Sequence, residues 1–157
     1  MMSTFLQSAY SEPDDQRRAA RALLALPLIV SAAGGRVDAE DLDRTLSLCI
    51  LSPVVRSMGT QETEDIAGEC LAVMRELGSE ELFSDVIVGL ALEMAESAMC
   101  LAIAVAVARG PLNEARKGAL RAMGQRLGLP EATFIKIFDV MNMLSRQWPE
   151  EGHHVVR

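Results

Sequence analysis

Two carboxylates three residues apart, Glu93 and Glu96, interrupt the most apolar stretch of the chain, residues 86–108. This spacing places both on one face of a helix, where paired carboxylates can hold a metal ion or act as acid and base. A di-iron site of the Glu-x-x-His type would also need histidines in the helices, but the only two lie near the C-terminus. The alternative is that this face reaches solvent or pairs with arginines of another helix, such as Arg17, Arg18 or Arg21.

A second acidic group follows the glycine pair of "AAGGRVDAED", residues 32–41, and comprises Asp38, Glu40, Asp41 and Asp43. These acids could bind a cation, although the EF-hand spacing is absent, and they would repel phosphate. The simpler interpretation is that Asp38 caps a helix whose dipole favours the acids after it. Glu40, Asp41, Glu93 and Glu96 remain the metal-ligand candidates.

The cysteines indicate no catalytic centre. Cys49, Cys70 and Cys100 lie far apart inside apolar helical patterns, which predicts reduced, buried thiols in a cytoplasmic protein. No nucleophile, base and orienting group can be assembled from a chain with so few histidines. We therefore predict a non-enzymatic protein without a catalytic residue or an organic cofactor.

Charge and hydropathy limit the partners. The 157 residues carry a net charge of −7, with a pI of about 4.8, which disfavours nucleic acid and anionic membrane surfaces. Glu93 and Glu96 leave an uncharged stretch of only 97–108, too short to cross a bilayer, so no transmembrane segment is expected.

Helical periodicity predicts an all-α single domain, 1–157, with about six or seven helices and a core at about 13–148. Residues 1–12 are expected to form an arm or short helix, and 149–157 a loose tail. A long helix at 80–108 and part of the first helix should form the centre, with 53–58 able to add a turn. The predicted helices span 12–34, 38–51, 61–76, 80–108, 113–127 and from 130 onward.

A weak internal repeat relates "LIVSAAGGRVD" (28–38) to "IAVAVARGPLN" (103–113) at a constant offset of 75. In each copy a glycine is placed to end a long helix with positive φ, an apolar residue folds back beside it, and a polar residue caps the next helix. This predicts two tight, structural helix–helix corners that need no ligand, formed by Gly35, Val37 and Asp38 and by Gly110, Leu112 and Asn113.

The two corners resemble those of the TerB-like family, which includes the tellurite-resistance protein TerB and a domain of DjlA-type co-chaperones. The segment "AVARGPLNEARKGALRAMGQRLGLPEATF" is similar to the family pattern A-x-x-D-G-x-(V/L)-x-x-x-E … L-x-x-(L/I)-A-x-x-L-G-L, and the resemblance covers about residues 20–145. Family corners carry Asp-Gly, associated with divalent-cation binding, whereas here Gly34 and Arg109 stand at the aspartate positions. The resemblance therefore implies the fold and weakens the cation site.

The resemblance also implies a cytoplasmic stress-response module, linked to tellurite or other metal or envelope stress, that works through a protein partner. The alternative is a helical protein that binds a divalent cation or a small molecule. A homodimer is a further expectation on partners, because small residues at Ala98, Ala102 and Ala106 allow close helix approach, although they could equally lie inside the monomer.

Overall fold

The computed structural model describes residues 13–144 and residue 146, and this part of the chain contains eight α-helices and no strand. The all-α prediction is confirmed for this part, while the predicted arm at 1–12 and tail at 149–157 lie outside the described residues. One hydrophobic core receives buried side chains from every helix. The helices are α1 (Pro13–Ala33), α2 (Ala39–Cys49), α3 (Pro53–Met58), α4 (Thr60–Leu77), α5 (Ser79–Val86), α6 (Leu92–Ala108), α7 (Glu114–Arg126) and α8 (Glu131–Leu144).

The centre of the molecule is the pair of apolar helices α1 and α6. Helix α1 packs most extensively on α6 and also contacts α2, α3, α4, α5 and α7. Leu23, Leu24 and Leu26 in its middle turns are fully buried. Pro27 lies within α1 and cannot donate to the Leu23 carbonyl, which instead accepts from the Cys49 thiol at 3.6 Å.

The predicted long helix at 80–108 is wrong, because the chain breaks at 87–91 into α5 and α6. The turn contains Gly89 with φ of +71°, a backbone conformation that glycine adopts without steric cost. Ile87 and Leu90 still pack on the core, so the apolar pattern continues through the break. This break, together with α3, gives eight described helices where six or seven were expected.

The internal repeat has a structural counterpart. At the offset of 75, α1 and α2 correspond to α6 and α7, and α8 corresponds to 56–69, in α3 and the first half of α4. Contacts join the first helices of the two copies at both ends, so α1 and α6 run side by side in one direction. Helix α5 follows the first copy and has no counterpart among the described residues.

Of the two places left open for Ala98, Ala102 and Ala106, the structure shows the inside of the monomer. Ala98 and Ala102 are fully buried and Ala106 is 3% exposed, because they face the core. Close approach of small residues thus serves packing within one chain. Among the described helices, none has the length and hydropathy needed to span a membrane.

Candidate functional site

The two corners have the predicted structural parts. Gly35 and Gly110 have φ of +140° and +117°. The Asp38 carboxylate accepts from the Asp41 backbone N–H at 2.7 Å, and the Asn113 side-chain oxygen accepts from the Arg116 backbone N–H at 2.8 Å. Each polar residue therefore caps the helix that follows it, as predicted.

Val37 and Leu112 complete the corners, since both are half-buried and pack against the hydrophobic core. In the first corner the Asp41 carboxylate also accepts from the Asp38 backbone N–H at 3.1 Å, which makes a reciprocal capping box. These contacts account for the corner residues without a ligand.

The corners also contact each other in a reciprocal way that sequence reasoning missed. Arg109 reaches from the second corner to Asp41 of the first, with 2.8 Å between Nη1 and Oδ1. In the repeat, Asp41 corresponds to Arg116 and Arg109 corresponds to Gly34, each at the offset of 75. Arg116 lies so close to Gly34 that a Cβ added to this glycine would lie 2.2 Å from the Arg116 Nε. The Arg109–Asp41 contact is an ion pair, whereas the Arg116 guanidinium lies against the backbone of a glycine.

Arginine side chains neutralise the acidic first corner. The Asp41 side chain is fully buried and has the Arg109 guanidinium at 2.8 Å and the Arg44 Nη1 at 3.6 Å. The hydrogen bond from the Asp41 backbone N–H lowers the pKa of Asp38, and Arg109, whose Nη2 lies 3.8 Å from Asp38 Oδ2, acts in the same direction. The positive charge that a cation would supply here comes from the protein itself.

The four metal-ligand candidates do not form one site. Glu40 is bonded to Arg44 at 2.8 Å, next to the buried Asp41 at the start of α2. Glu93 and Glu96 lie at the other end of α6 from Arg109, about 20 Å away at the helical rise of ~1.5 Å per residue. No cluster of three or more histidine, cysteine or acidic side chains suited to a metal occurs in the described part of the chain.

The three arginines suggested as partners of Glu93 and Glu96 pair elsewhere, so the pairing alternative is wrong for them, whereas the partial exposure of both glutamates fits the alternative that this face reaches solvent. Arg17 contacts Glu62 and Glu69, at 3.1 and 2.7 Å. The other two bind the α5 region, Arg21 through Asp85 and Arg18 through the Val88 carbonyl. The break before α6 brings this segment to α1 and removes Glu93 and Glu96 from the arginines.

An apolar groove of about 700 Å³ runs along α6. Among the described residues, no charged side chain lines it. Leu51 and Leu144 stand at its edge and are 68% and 76% exposed. The groove was not predicted, although the apolar residues on more than one face of 38–51 were its sequence signal. It is lined by Leu48, Leu51, Ser52, Pro53, Ser97, Cys100, Leu101, Ala104, Val107, Ala108, Met141 and Leu144.

The Cys100 thiol lies in the wall of this groove. Partial burial raises its pKa, and the carboxylate of Glu96, one helical turn earlier in α6, acts in the same direction. Burial raises the pKa of Cys49 to about 12 and that of Cys70 to about 11. The prediction of free, buried thiols is thus confirmed for Cys49 and Cys70, while Cys100 is half-buried.

Comparisons with family models, with curated proteins and with solved structures found no match to this chain in any of the three.

Proposed function

We propose that this protein is a non-enzymatic, TerB-like interaction module that works in the cytoplasm through a protein partner during tellurite, metal or envelope stress. The observation that carries the proposal is the apolar groove, with Leu51 and Leu144 at its edge. Exposed apolar surface of this kind marks binding sites, because its burial against apolar side chains is favourable. The stress role follows from the family resemblance of the corners.

The arginines at the corners support a module that works without a bound cation. Arg109 and Arg44 compensate the buried Asp41 carboxylate, and the capping box uses the remaining oxygen atoms locally. The corners therefore position α2 and α7, and the groove beside α6 is left as the binding surface.

Growth of the encoding organism under stress tests this function. A strain that lacks the gene should grow poorly in tellurite or under envelope stress, and the wild-type protein should restore growth. Leu51→Asp should fail to restore it, because a charge at the groove edge opposes apolar binding. Leu77→Asp is the matched control, since Leu77 is 64% exposed but lies outside the groove. Equal rescue by both variants would contradict the proposal.

The alternative function is binding of a divalent cation or a small molecule. The cation rests on the resemblance of the corners to those of the TerB-like family, and the groove volume, within the ~300–1,000 Å³ of ligand pockets, favours a small molecule. Thermal melts of chelator-treated protein with calcium, magnesium, manganese or zinc test the cation. A rise of several degrees that Glu93→Ala with Glu96→Ala removes would support a relocated cation site, and loss of the rise in Asp41→Asn would assign it to the corner.

A further inference from the structure

The groove beside α6 has a counterpart beside α1 that a helix already fills. Adding 75 to Ala22 and Ala25 of α1 gives Ser97 and Cys100 of the groove. Both alanines are fully buried, whereas Ser97 is exposed and Cys100 is half-buried. The repeat relates the pair Ala22 and Ala25 to the pair Ser97 and Cys100, yet only the first pair is fully buried.

Helix α5 lies against α1 and α4, on the side of α1 where Arg21 contacts Asp85. Its apolar face is buried at Leu82, Phe83 and Val86. Arg126 holds one end, with 2.7 Å to Glu80 and its guanidinium 4.4 Å from the centre of the Phe83 ring. Arg21 pairs with Asp85 near the other end. An acidic amphipathic helix is thus held between two arginines.

The same positions beside the groove carry different chemistry. Arg126 corresponds to Leu51, so the clamp at one end becomes an exposed apolar residue. Arg18 and Arg21 correspond to Glu93 and Glu96, so the charges at the other end are reversed. In the described part of the chain neither glutamate forms a salt bridge, and Glu96 lies one helical turn before Cys100 and next to Ser97, both of which line the groove. Charge reversal at matched positions means that a helix placed here must be basic where α5 is acidic.

We propose that the groove binds an amphipathic helix of a partner protein, with apolar residues spaced as Leu82, Phe83 and Val86 and with lysine or arginine facing Glu93 and Glu96. This helix would lie beside α6 as α5 lies beside α1. The inference deepens the proposed interaction function and rests on it. Recognition combines apolar anchors in a groove with a charged flank that selects the partner.

A pair of synthetic peptides tests the inference on the full-length chain. The first has the sequence of residues 78–90 with E80L, which faces Leu51, and with E81K and D85K, and the second keeps the native acidic sequence. Fluorescence anisotropy with labelled peptides should show the basic peptide binding at least about tenfold more tightly than the acidic one, with the difference reduced by salt. Similar affinities for the two peptides, or no binding of the basic one, would overturn the inference.

Protein variants locate the site. Leu51→Asp should weaken binding of the basic peptide at least about tenfold, while Leu77→Asp should not change it. Glu93→Gln with Glu96→Gln should remove the preference for the basic peptide, and Glu93→Lys with Glu96→Lys should reverse it. Circular dichroism melts of each variant establish that it is folded. Unchanged binding to Leu51→Asp would place the peptide elsewhere and overturn the assignment.

The remaining outcomes separate the inference from the proposed function. Should a second copy or residues 147–157 occupy the groove, the full-length chain would bind neither peptide, and a helical partner would be excluded. If Leu51→Asp abolishes the growth rescue while the basic peptide fails to bind, the interaction function stands and the basic helix is wrong. If the peptide binds but growth is unaffected, the groove is correct and the stress role is wrong.

Discussion

The repeat-related surfaces of α1 and α6 differ in how far they are buried. Beside α1, Ala22 and Ala25 are fully buried, and α5 packs on this helix with Arg21 paired to Asp85. Beside α6, the matched residues Ser97 and Cys100 retain exposure. The difference shows that the same pair of helices can pack against a further helix of its own chain in one half and border an apolar groove in the other.

The corners differ in a parallel way. Arg109 of the second corner contacts the Asp41 carboxylate of the first. The repeat-related contact joins Arg116 of the second corner to the backbone of Gly34 in the first. The two repeat-related contacts are thus of different kinds, since one is an ion pair and the other places an arginine against a glycine. The repeat therefore determines which positions are in contact, while the residue types at those positions determine whether the contact stabilises the fold.

The largest expected effect compares the filled place with the open one. Phe83→Ala should lower the free energy of unfolding by about 3 to 5 kcal/mol, because it removes a ring that is 3% exposed from the contact of α5 with the core. Leu51→Ala should change it by less than about 0.5 kcal/mol, since this side chain lies at the edge of an open groove. Urea unfolding measures both. Equal losses would mean that the groove residues already pack as α5 does.

The corner ion pair should give the next effect. Arg109→Ala should cost about 2 to 3 kcal/mol, less than the roughly 3 to 5 of a fully buried pair, because Arg109 is 33% exposed and Arg44 remains near Asp41. Adding Asp41→Asn should cost little more than either change alone, which a double-mutant cycle in urea reports. Additive losses would show that the two residues do not act together.

The corner glycines should contribute less. Gly35→Ala and Gly110→Ala should each cost about 1 kcal/mol or more, because an L side chain is strained at φ of +140° and +117°. Gly118→Ala inside α7 is the control, with open space at its Cβ, and should stabilise by up to ~1 kcal/mol through helix propensity. Unchanged melting temperatures of both corner variants would contradict the conformational role.

Gly34 sharpens the comparison of the corners. Gly34→Ala should cost no more than about 1 kcal/mol, because the clashing atoms of Arg116 belong to a flexible side chain that can move. In an Arg116→Ala background the same change should stabilise by about 0.4 to 1 kcal/mol, since it restricts the unfolded chain. Thermal unfolding of the four proteins measures the sign change, and the same cost in both backgrounds would remove Arg116 as the cause.

Acid should reveal the smallest effect. The folded-state pKa of Asp38 lies below that of the unfolded chain because the Asp41 backbone N–H donates to its carboxylate. Its contribution to stability is therefore fully present above about pH 4 and is lost as the pH falls through the folded-state pKa. Asp38→Asn, which can still cap the helix, should show a weaker loss of stability below pH 4. Identical pH profiles would contradict this role.

The sequence predicted what depends on local pattern. Helix type follows from apolar periodicity, and the corners follow from a glycine, an apolar residue and a cap in fixed order, which the φ values and capping bonds confirm. The break at Gly89 was not predictable from hydropathy, because Ile87 and Leu90 pack on the core across it.

The parts that were missed depend on how the two copies meet. Arg109 and Asp41 are 68 residues apart, and only the side-by-side arrangement of α1 and α6 brings them into contact. The groove likewise combines the end of α2 with α6 and α8. In the repeat, Glu93 and Glu96 occupy the positions in α6 that Arg18 and Arg21 occupy in α1. The glutamates therefore do not pair with those arginines.

Alkylation of Cys100 in the full-length chain tests most directly whether the groove receives a basic helix. Cys100 lies in the groove wall, while Cys49 and Cys70 are buried away from it and serve as internal controls. At a concentration ten times its dissociation constant, the peptide of residues 78–90 with E80L, E81K and D85K should slow iodoacetamide labelling of Cys100 about tenfold. The native acidic peptide should have no effect. Labelling of Cys100 at the same rate with and without the basic peptide would contradict the account.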